Sequence, residues 1–523
     1  MAALATAERV TAVKGPPPMR RASLTAAVVL VSALALLPVL MLVGYALLAP
    51  GSSTLQLGAE GLEQVVNTVV LVVGVGLIGA VVGTANGWLT ACCHFPGRRW
   101  LRLAQVLPLA APAFVLATVL VDLGSRWGYR FHGIGWAVLL LSLTTYTYVF
   151  LLSTESFSMS GHRQLEACRS LGVGPWGSFR RVALPLALPS IGAGVALSGM
   201  EVVNELGAVE MLGVPTLSRG ILQRWQGEGD LQGAVGLALI ALVMVSLLVG
   251  AERWLRHRSR RWNMGHEGTS SLQWQLSGWR CYTAQLLTVV PPVVSLAIPL
   301  TWLVMSLDHL QSDSLEELVA LTLRSLGLAL AAAVVTVVAA VLLAIARRWL
   351  PQPFLRQLTF VAGMGYAIPG TVLALALMLI GGPLGLSPLL LLLWGYSDRF
   401  LAVSKGGLDA ALERIPPSVD EAATGLGCSW SQVLKRVHLP LLKGPMLVGA
   451  LLVFVDTVKE LPLTFSLRPF DFDTLAVRVY QYAGDERVST ALIPALLIVA
   501  LGLVAAVALM PSLERLGSGA DQS

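Results

Sequence analysis

Twelve apolar stretches recur along this sequence, at 24–48, 62–91, 103–124, 134–154, 189–212, 231–251, 284–306, 317–346, 357–381, 386–404, 444–466 and 488–510. A helix needs about 20 apolar residues to cross a bilayer's hydrocarbon core. The expected fold class is therefore all-α and polytopic, with about twelve transmembrane helices. Composition agrees: 55% of residues are hydrophobic and 13% are charged, where a soluble domain carries about 25% charged residues. That excludes a water-soluble enzyme and a disordered scaffold. The 62–91 and 317–346 stretches exceed what a membrane needs and are expected to tilt or project into water.

Charge sets the orientation. Arg98, Arg99 and Arg102, then Arg253, Arg256, Arg258, Arg260, Arg261 and Arg280, then Arg347, Arg348 and Arg356 fall on one side of a twelve-span chain. Basic loops stay cytoplasmic. The opposite side holds an acidic loop with Asp308, Asp313, Glu316 and Glu317, while Arg126 and Arg130 run mildly against the trend. Both termini come out cytoplasmic. The run after the basic tail of Arg9, Lys14, Arg20 and Arg21 is too long for a signal peptide. The net charge of +6 reads as topogenic, and no aromatic-basic interleaving points to nucleic acid as a partner. Cys92, Cys93, Cys168, Cys281 and Cys428 show no C-x-x-C spacing and read as unpaired thiols without chemistry.

Two loops repeat each other. Glu166-Ala167-Cys168, Gly172, Arg181-Val182 and Leu184-Pro185 match Glu421-Ala422-Ala423, Gly427, Arg436-Val437 and Leu439-Pro440, every pair 255 positions apart. The offset continues from Glu201, Glu205 and Leu206 to Asp456, Glu460 and Leu461, and from Gln226, Gly229 and Asp230 to Gln481, Gly484 and Asp485. A register held over roughly 65 residues marks two copies of one module. The expected organisation is a first module at 1–251, a basic linker at 252–283 and a second module at 284–523. Six spans per copy make the repeat parallel, unlike the inverted repeats of many secondary carriers.

Each loop reads as a helix–turn–helix outside the membrane. Gly172 is placed to end the first helix with positive φ. Pro175 suits the first position of the second helix, and Ser429 is the corresponding N-cap. The second helix is expected to stop near Val182 or Val437, before Pro185 or Pro440. A paired projection suits a symmetric two-subunit partner, although one copy alone would read as an interfacial anchor.

The pattern E-A-A-x-x-x-G reaching L-P resembles the signature loop of binding-protein-dependent ABC importer permeases. Here it stands as E-A-C-R-S-L-G and E-A-A-T-G-L-G, with Cys168 where alanine is usual. The resemblance covers nearly the whole chain, as two fused halves of type I permease kind. It implies that Glu166, Ala167 and Gly172, with Glu421, Ala422 and Gly427, couple to a homodimeric ABC ATPase subunit on the cytoplasmic side. It also implies an extracytoplasmic substrate-binding protein, a bacterial inner membrane location and alternating access. No G-x-x-x-x-G-K-[ST] occurs and the dipeptide Gly-Lys is absent, so ATP is expected to be used by the partner, with no cofactor bound directly and no catalytic residue in this chain.

Glu201 and Glu205 share one helix face, and Asp456 and Glu460 repeat the pair. A charge at the bilayer centre costs about 2.5–3.5 kcal/mol on insertion scales, so such groups face a bundle interior or a wet path. Two readings stand: an acidic lining for a cation along the translocation path, or groups that are protonated, or paired with Lys459 and backbone donors, and hold helices together. No metal site is assigned. The stretch 459–487 and R-I-P-P-S-V-D-E-A-A at 414–423 resemble fused ferric-iron permeases. That resemblance implies ferric iron as substrate, with thiamine or a polyamine as alternatives. Tyr480 and Tyr482 are phenols suited to iron, or members of an interfacial aromatic belt. The rival from another class is a proton-coupled carrier using Glu205 and Glu460, which would have no use for the paired loops.

Overall fold

The computed structural model describes residues 18–48, 57–159, 168, 170–263, 274–306, 314–350, 352–485, 487 and 490–504. Its long helices are α1 (Pro18–Leu48), α2 (Gly58–Cys92), α3 (Ala113–Arg126), α4 (Ile134–Met159), α5 (Leu184–Asn204), α6 (Leu231–Asn263), α7 (Trp279–Ser306), α8 (Leu315–Trp349), α9 (Gly370–Leu384), α10 (Pro388–Glu413), α11 (Pro417–Gly425) and α12 (Leu439–Val458). Among the described residues eight helical runs are long and apolar enough to cross a membrane, or ten if two bent pairs each count as one span. The expected count of twelve is not reached. In α10 the charges of Asp398, Arg399 and Lys405 interrupt the apolar run, and the last candidate, Thr490–Val504, is short.

The bends have a local cause. Ala111 and Ile368 are extended, as the residue before a proline prefers. In the first bent pair, Arg98–Leu109 and Ala113–Arg126 meet at 86°. Buried Gln105 ties that bend to its neighbours: its carbonyl accepts from the Thr147 hydroxyl at 3.0 Å, its Nε2 donates to the Thr288 carbonyl at 2.5 Å, and its Oε1 accepts from Asn86 Nδ2 at 2.9 Å and from the Tyr146 hydroxyl at 3.0 Å.

Close packing rests on small residues. Lipid supplies no hydrophobic force between helices, so backbones must approach closely for dispersion to act. Gly79, Gly83 and Gly87 line one face of α2 against α4; a Cβ on Gly83 would stand 2.7 Å from Val149 Cβ and 2.9 Å from the Tyr146 carbonyl oxygen. Thr336, Ala340 and Ala344 keep the same spacing, buried, in α8.

The described chain divides into two compact units that cut across the sequence modules. One takes α1 as far as Gly44, Arg324–Ile368 and Ala376–Val458; the other takes Tyr45–Leu323, Pro369–Leu375 and the described residues from Lys459 onward. In the first unit α1 is anchored by Ser32 Oγ to the Leu358 carbonyl (3.3 Å) and by Trp394 Nε1 to the Leu34 carbonyl (3.1 Å). In the second, α7 is anchored to α3: Trp302 Nε1 donates to Asp122 at 2.7 Å and Arg126 to the Met305 carbonyl at 2.9 Å. Each sequence module thus lends its first helix to the unit built mainly on the other. The basic stretch after residue 251 begins as helix, since α6 runs on to Asn263. It returns as Trp274–Gln275, paired in parallel with Cys93–His94 beyond the end of α2.

The glycine face yields a test. Gly83→Ala should destabilise the protein in detergent by roughly 1–3 kcal/mol, because the added methyl forces a backbone shift. Gly135→Ala, whose Cβ would meet nothing within 4 Å, should leave the thermal unfolding midpoint unchanged.

Candidate functional site

The second repeated loop is described throughout. Pro417 opens α11, which ends at Gly425. Leu426 follows, 86% exposed, then Gly427 at φ +82°. Ser429 is the N-cap of Trp430–Val433, and its N–H donates to the Gln432 side chain at 2.7 Å. In the first loop Glu166 and Ala167 lie outside the described residues. Leu171 is 80% exposed, Gly172 has φ +73° and Pro175 opens Pro175–Ser178. Glu421 and Ala422 point outward on the exposed face of α11.

The expected stop before Pro185 and Pro440 does not occur. In both copies the helix widens into a π turn, Phe179–Ala183 and Leu434–His438, and continues into α5 and α12. Leu184 donates to the Phe179 carbonyl and Leu439 to that of Leu434, five residues back. The proline then falls in the first turn of the new helix, where a missing N–H does no harm. The loop is therefore continuous with a spanning helix. Leu171 and Leu426 were not singled out from sequence, because a leucine beside a helix-ending glycine reads as packing; only their shared register hinted otherwise.

The inner face of α11 is held by a buried ionic clasp. Arg348, at the end of α8, donates to Asp420 Oδ2 at 2.7 Å and to the carbonyls of Leu412 and Ile415 at 2.9 Å each. His438 Nε2 stands 2.8 Å from Asp420 Oδ1. Next to this, Arg347 meets Asp409 at 2.9 Å and Glu413 at 3.0 Å, and Lys405 meets Asp409 at 2.6 Å. Asp420 and His438 are buried. Burial pushes the Asp420 carboxyl up, but the hydrogen bonds and charges of His438 and Arg348 outweigh it, so the group sits below its ordinary range. The matching positions in the first copy are Leu165 and Ala183; Ala183 packs apolar against Cys92, Cys93 and Phe157.

The carboxylates expected along the translocation path mark breaks in the runs expected at 189–212 and 444–466. Helix α5 ends at Asn204 and a short helix restarts at Gly207–Met211; α12 ends at Val458 and Pro462–Leu467 follows. Glu205 Oε1 accepts from the Ala208 N–H at 2.8 Å. Glu460 accepts from the N–H groups of Leu463 and Thr464, both at 3.0 Å, and from the Thr464 hydroxyl at 2.9 Å. Both carboxyl groups cap helix N-termini by accepting from their first free N–H groups. The two breaks meet, since Leu461 lies against Gly207 and a Cβ there would be 2.7 Å from Leu461 Cδ2. Asn204 Oδ1 accepts from the Gly370 N–H at 2.7 Å, capping α9. Glu201, one turn before Glu205, is half-buried, and so is Asp456 in the last turn of α12. Tyr482 is buried with Arg478 and Arg487 over its ring, and Tyr480 packs edge-on to Phe465. Among the described residues no group of three His, Cys, Asp or Glu converges as a metal site.

Residues 83–263 and 336–515 each match the family described as binding-protein-dependent transport system inner membrane component. The chain is 24% identical over 450 residues to the Fe(3+)-transport system permease protein FbpB 2 of Haemophilus influenzae, covering 84% of this chain and 87% of that protein. It is 30% identical over 201 residues to the molybdenum transport system permease protein ModB of Escherichia coli, 34% of this chain and 86% of that protein. Over 210 residues it is 30% identical to the sulfate transport system permease protein CysT of Escherichia coli, 36% of this chain and 74% of that protein.

Two outcomes follow from this geometry. Removing one partner of a buried ion pair costs about 3–5 kcal/mol, so Arg348→Gln should speed amide hydrogen exchange across 417–425 while leaving α2 protected. A depressed carboxyl pKa contributes stability that is complete above the unfolded value and lost as pH falls through the folded one. The Asp420 contribution to wild-type exchange there, corrected for intrinsic rate, should therefore appear as a rise when pH falls below the ordinary carboxylate range. In Arg348→Gln that rise should begin at higher pH. At the second break, Glu460→Ala should lower the unfolding midpoint more than Glu460→Gln, which keeps an acceptor; equal loss in both would remove the capping role.

Proposed function

The chain belongs to the binding-protein-dependent transport system inner membrane components, with two family domains fused in one polypeptide, and we propose that it is the permease of a ferric-iron importer. A separate homodimeric ATPase docks on its two loops, and a soluble binding protein delivers substrate on the opposite face. The observation that carries the docking is the loop tip. In both copies an exposed leucine sits beside a positive-φ glycine, in the turn that leads directly into a helix long and apolar enough to cross a membrane. An apolar anchor on a rigid arm suits a cleft in a partner, and two copies suit a partner with two equal clefts. Glu166, Ala167 and Gly172, with Glu421, Ala422 and Gly427, form the rest of that docking surface.

Ferric iron is favoured on two grounds. The Fe(3+)-transport relative aligns with both halves, whereas the molybdenum and sulfate relatives align with about a third of the chain. The residues proposed to border the path, Glu201, Glu205, Asp456 and Glu460, are carboxylates, which suit a hard cation and repel an oxyanion. Glu205 and Glu460 do so while capping the short helices that interrupt the path. Alternating access then moves the loops and breaks together, because two states that differ in affinity for ATPase and binding protein are needed for coupling.

The test is uptake of radiolabelled ferric iron into proteoliposomes with ATPase and binding protein present. Wild type should accumulate iron only with ATP, and Glu166→Arg plus Glu421→Arg should abolish uptake. Leu171→Asp plus Leu426→Asp should do the same, on the order of tenfold or more, matching the loss of more than 1.4 kcal/mol in docking. Uptake persisting in both double variants would sink the docking assignment. Uptake of another cation, but not iron, would retain the importer and discard the substrate.

A further inference from the structure

Six residues of the second unit line a groove beside the amino-terminal turns of α5: Pro185, Leu186, Leu188 and Pro189 on one wall, Leu255 and Arg258 of α6 on the other. The groove measures about 300 Å³. Leu255 packs closely onto α5, since a Cβ on Gly192 of α5 would meet Leu255 Cδ1 at 2.7 Å. Of these six lining residues Arg258 alone carries a side-chain hydrogen-bond donor.

Arg258 terminates a graded stripe. Val243, Leu247, Trp254 and Arg258 are all exposed, and their spacing of four, seven and four residues keeps them on one face of α6. At 1.5 Å per residue, Trp254 lies about 10 Å beyond Leu247, and Arg258 about 6 Å further. The order along the helix is aliphatic, aromatic, cationic. That is the order of acyl chain, interface and phosphate at the edge of a bilayer. Among the described residues Arg258 has no carboxylate partner. Its guanidinium lies 5.7 Å from the Trp254 ring centroid, whereas neighbouring Arg256 is bound to Glu252 at 2.5 Å.

We propose that this groove is a binding site for an anionic phospholipid. One acyl chain lies along Leu186, Leu188 and Leu255, and the phosphate sits on Arg258, with Trp254 at the interface. A soluble peptide would leave the exposed Val243 and Leu247 of the same stripe uncovered; a lipid in the bilayer is continuous with the chains that cover them. The prolines and Leu255 shape the site for a chain, and the guanidinium, without a carboxylate partner among the described residues, selects its charge.

The experiment is native mass spectrometry of the full-length protein in detergent, titrated with phosphatidylglycerol or phosphatidylcholine of identical acyl composition. Wild type should retain phosphatidylglycerol at least fivefold more tightly. Arg258→Gln should reduce that preference to near unity, and Arg258→Lys should keep most of it. Leu188→Glu, which sets a negative charge on the opposite exposed wall, should also remove it. Equal retention of the two lipids by wild type would overturn the site, as would a preference unchanged in both Arg258→Gln and Leu188→Glu.

Discussion

A helix broken inside a bilayer has no water to complete its hydrogen bonds. This chain breaks or widens its helices repeatedly, and named groups answer at several of these places. Glu205 and Glu460 cap the helices that restart after α5 and α12. Asn204 supplies the same service to α9. The π turns before Leu184 and Leu439 redirect an amide to the carbonyl five residues back. Without these groups the interruptions would cost several kcal/mol each, and the spans would have to be straight rods.

The same constraint bears on the carboxyl groups at the two breaks. An ionised side chain is expensive in lipid, but one that accepts two or three hydrogen bonds from a helix start offsets much of that cost. Glu460 is satisfied in that way. The two breaks then pack on each other through Leu461 and Gly207, so that the interruptions of the two modules gather at one place in the second unit. A region of short, capped helices is better suited to change shape than a continuous span, since fewer bonds must be exchanged.

The two loops show how one sequence motif is supported by different chemistry. In the second copy the inner face of α11 rests on Arg348, Asp420 and His438. In the first copy the position of His438 is Ala183, packed among apolar side chains. A buried charged network specifies one geometry strongly, because any displacement leaves a charge unsatisfied. Apolar contact tolerates small shifts. The outward faces meanwhile keep the same exposed leucine and left-handed glycine in both copies. What is shared faces outward, and what differs faces the membrane helices.

Much of this was legible in the residues themselves. Apolar runs of spanning length announced a membrane protein, because lipid leaves a chain little other choice. The 255-residue register announced two copies of one module, and Gly172 and Gly427 announced their left-handed turns, since a residue without Cβ takes that conformation readily. Glu205 and Glu460 were visible as anomalies, and pairing with backbone donors was one of two readings; that they cap restarting helices depends on where the chain leaves the helix, at which only Pro462 hinted. The prolines misled, since a missing amide can end a helix or follow a π turn, and only the path of the chain distinguishes the two. The exchange of first helices between modules was equally invisible. Sequence by itself determined which segments enter lipid and which repeat, because hydropathy and register are properties of neighbours along the chain. Tertiary structure alone decided which segments touch, where the helices break and which carboxylates serve the backbone, because those depend on partners far away in sequence.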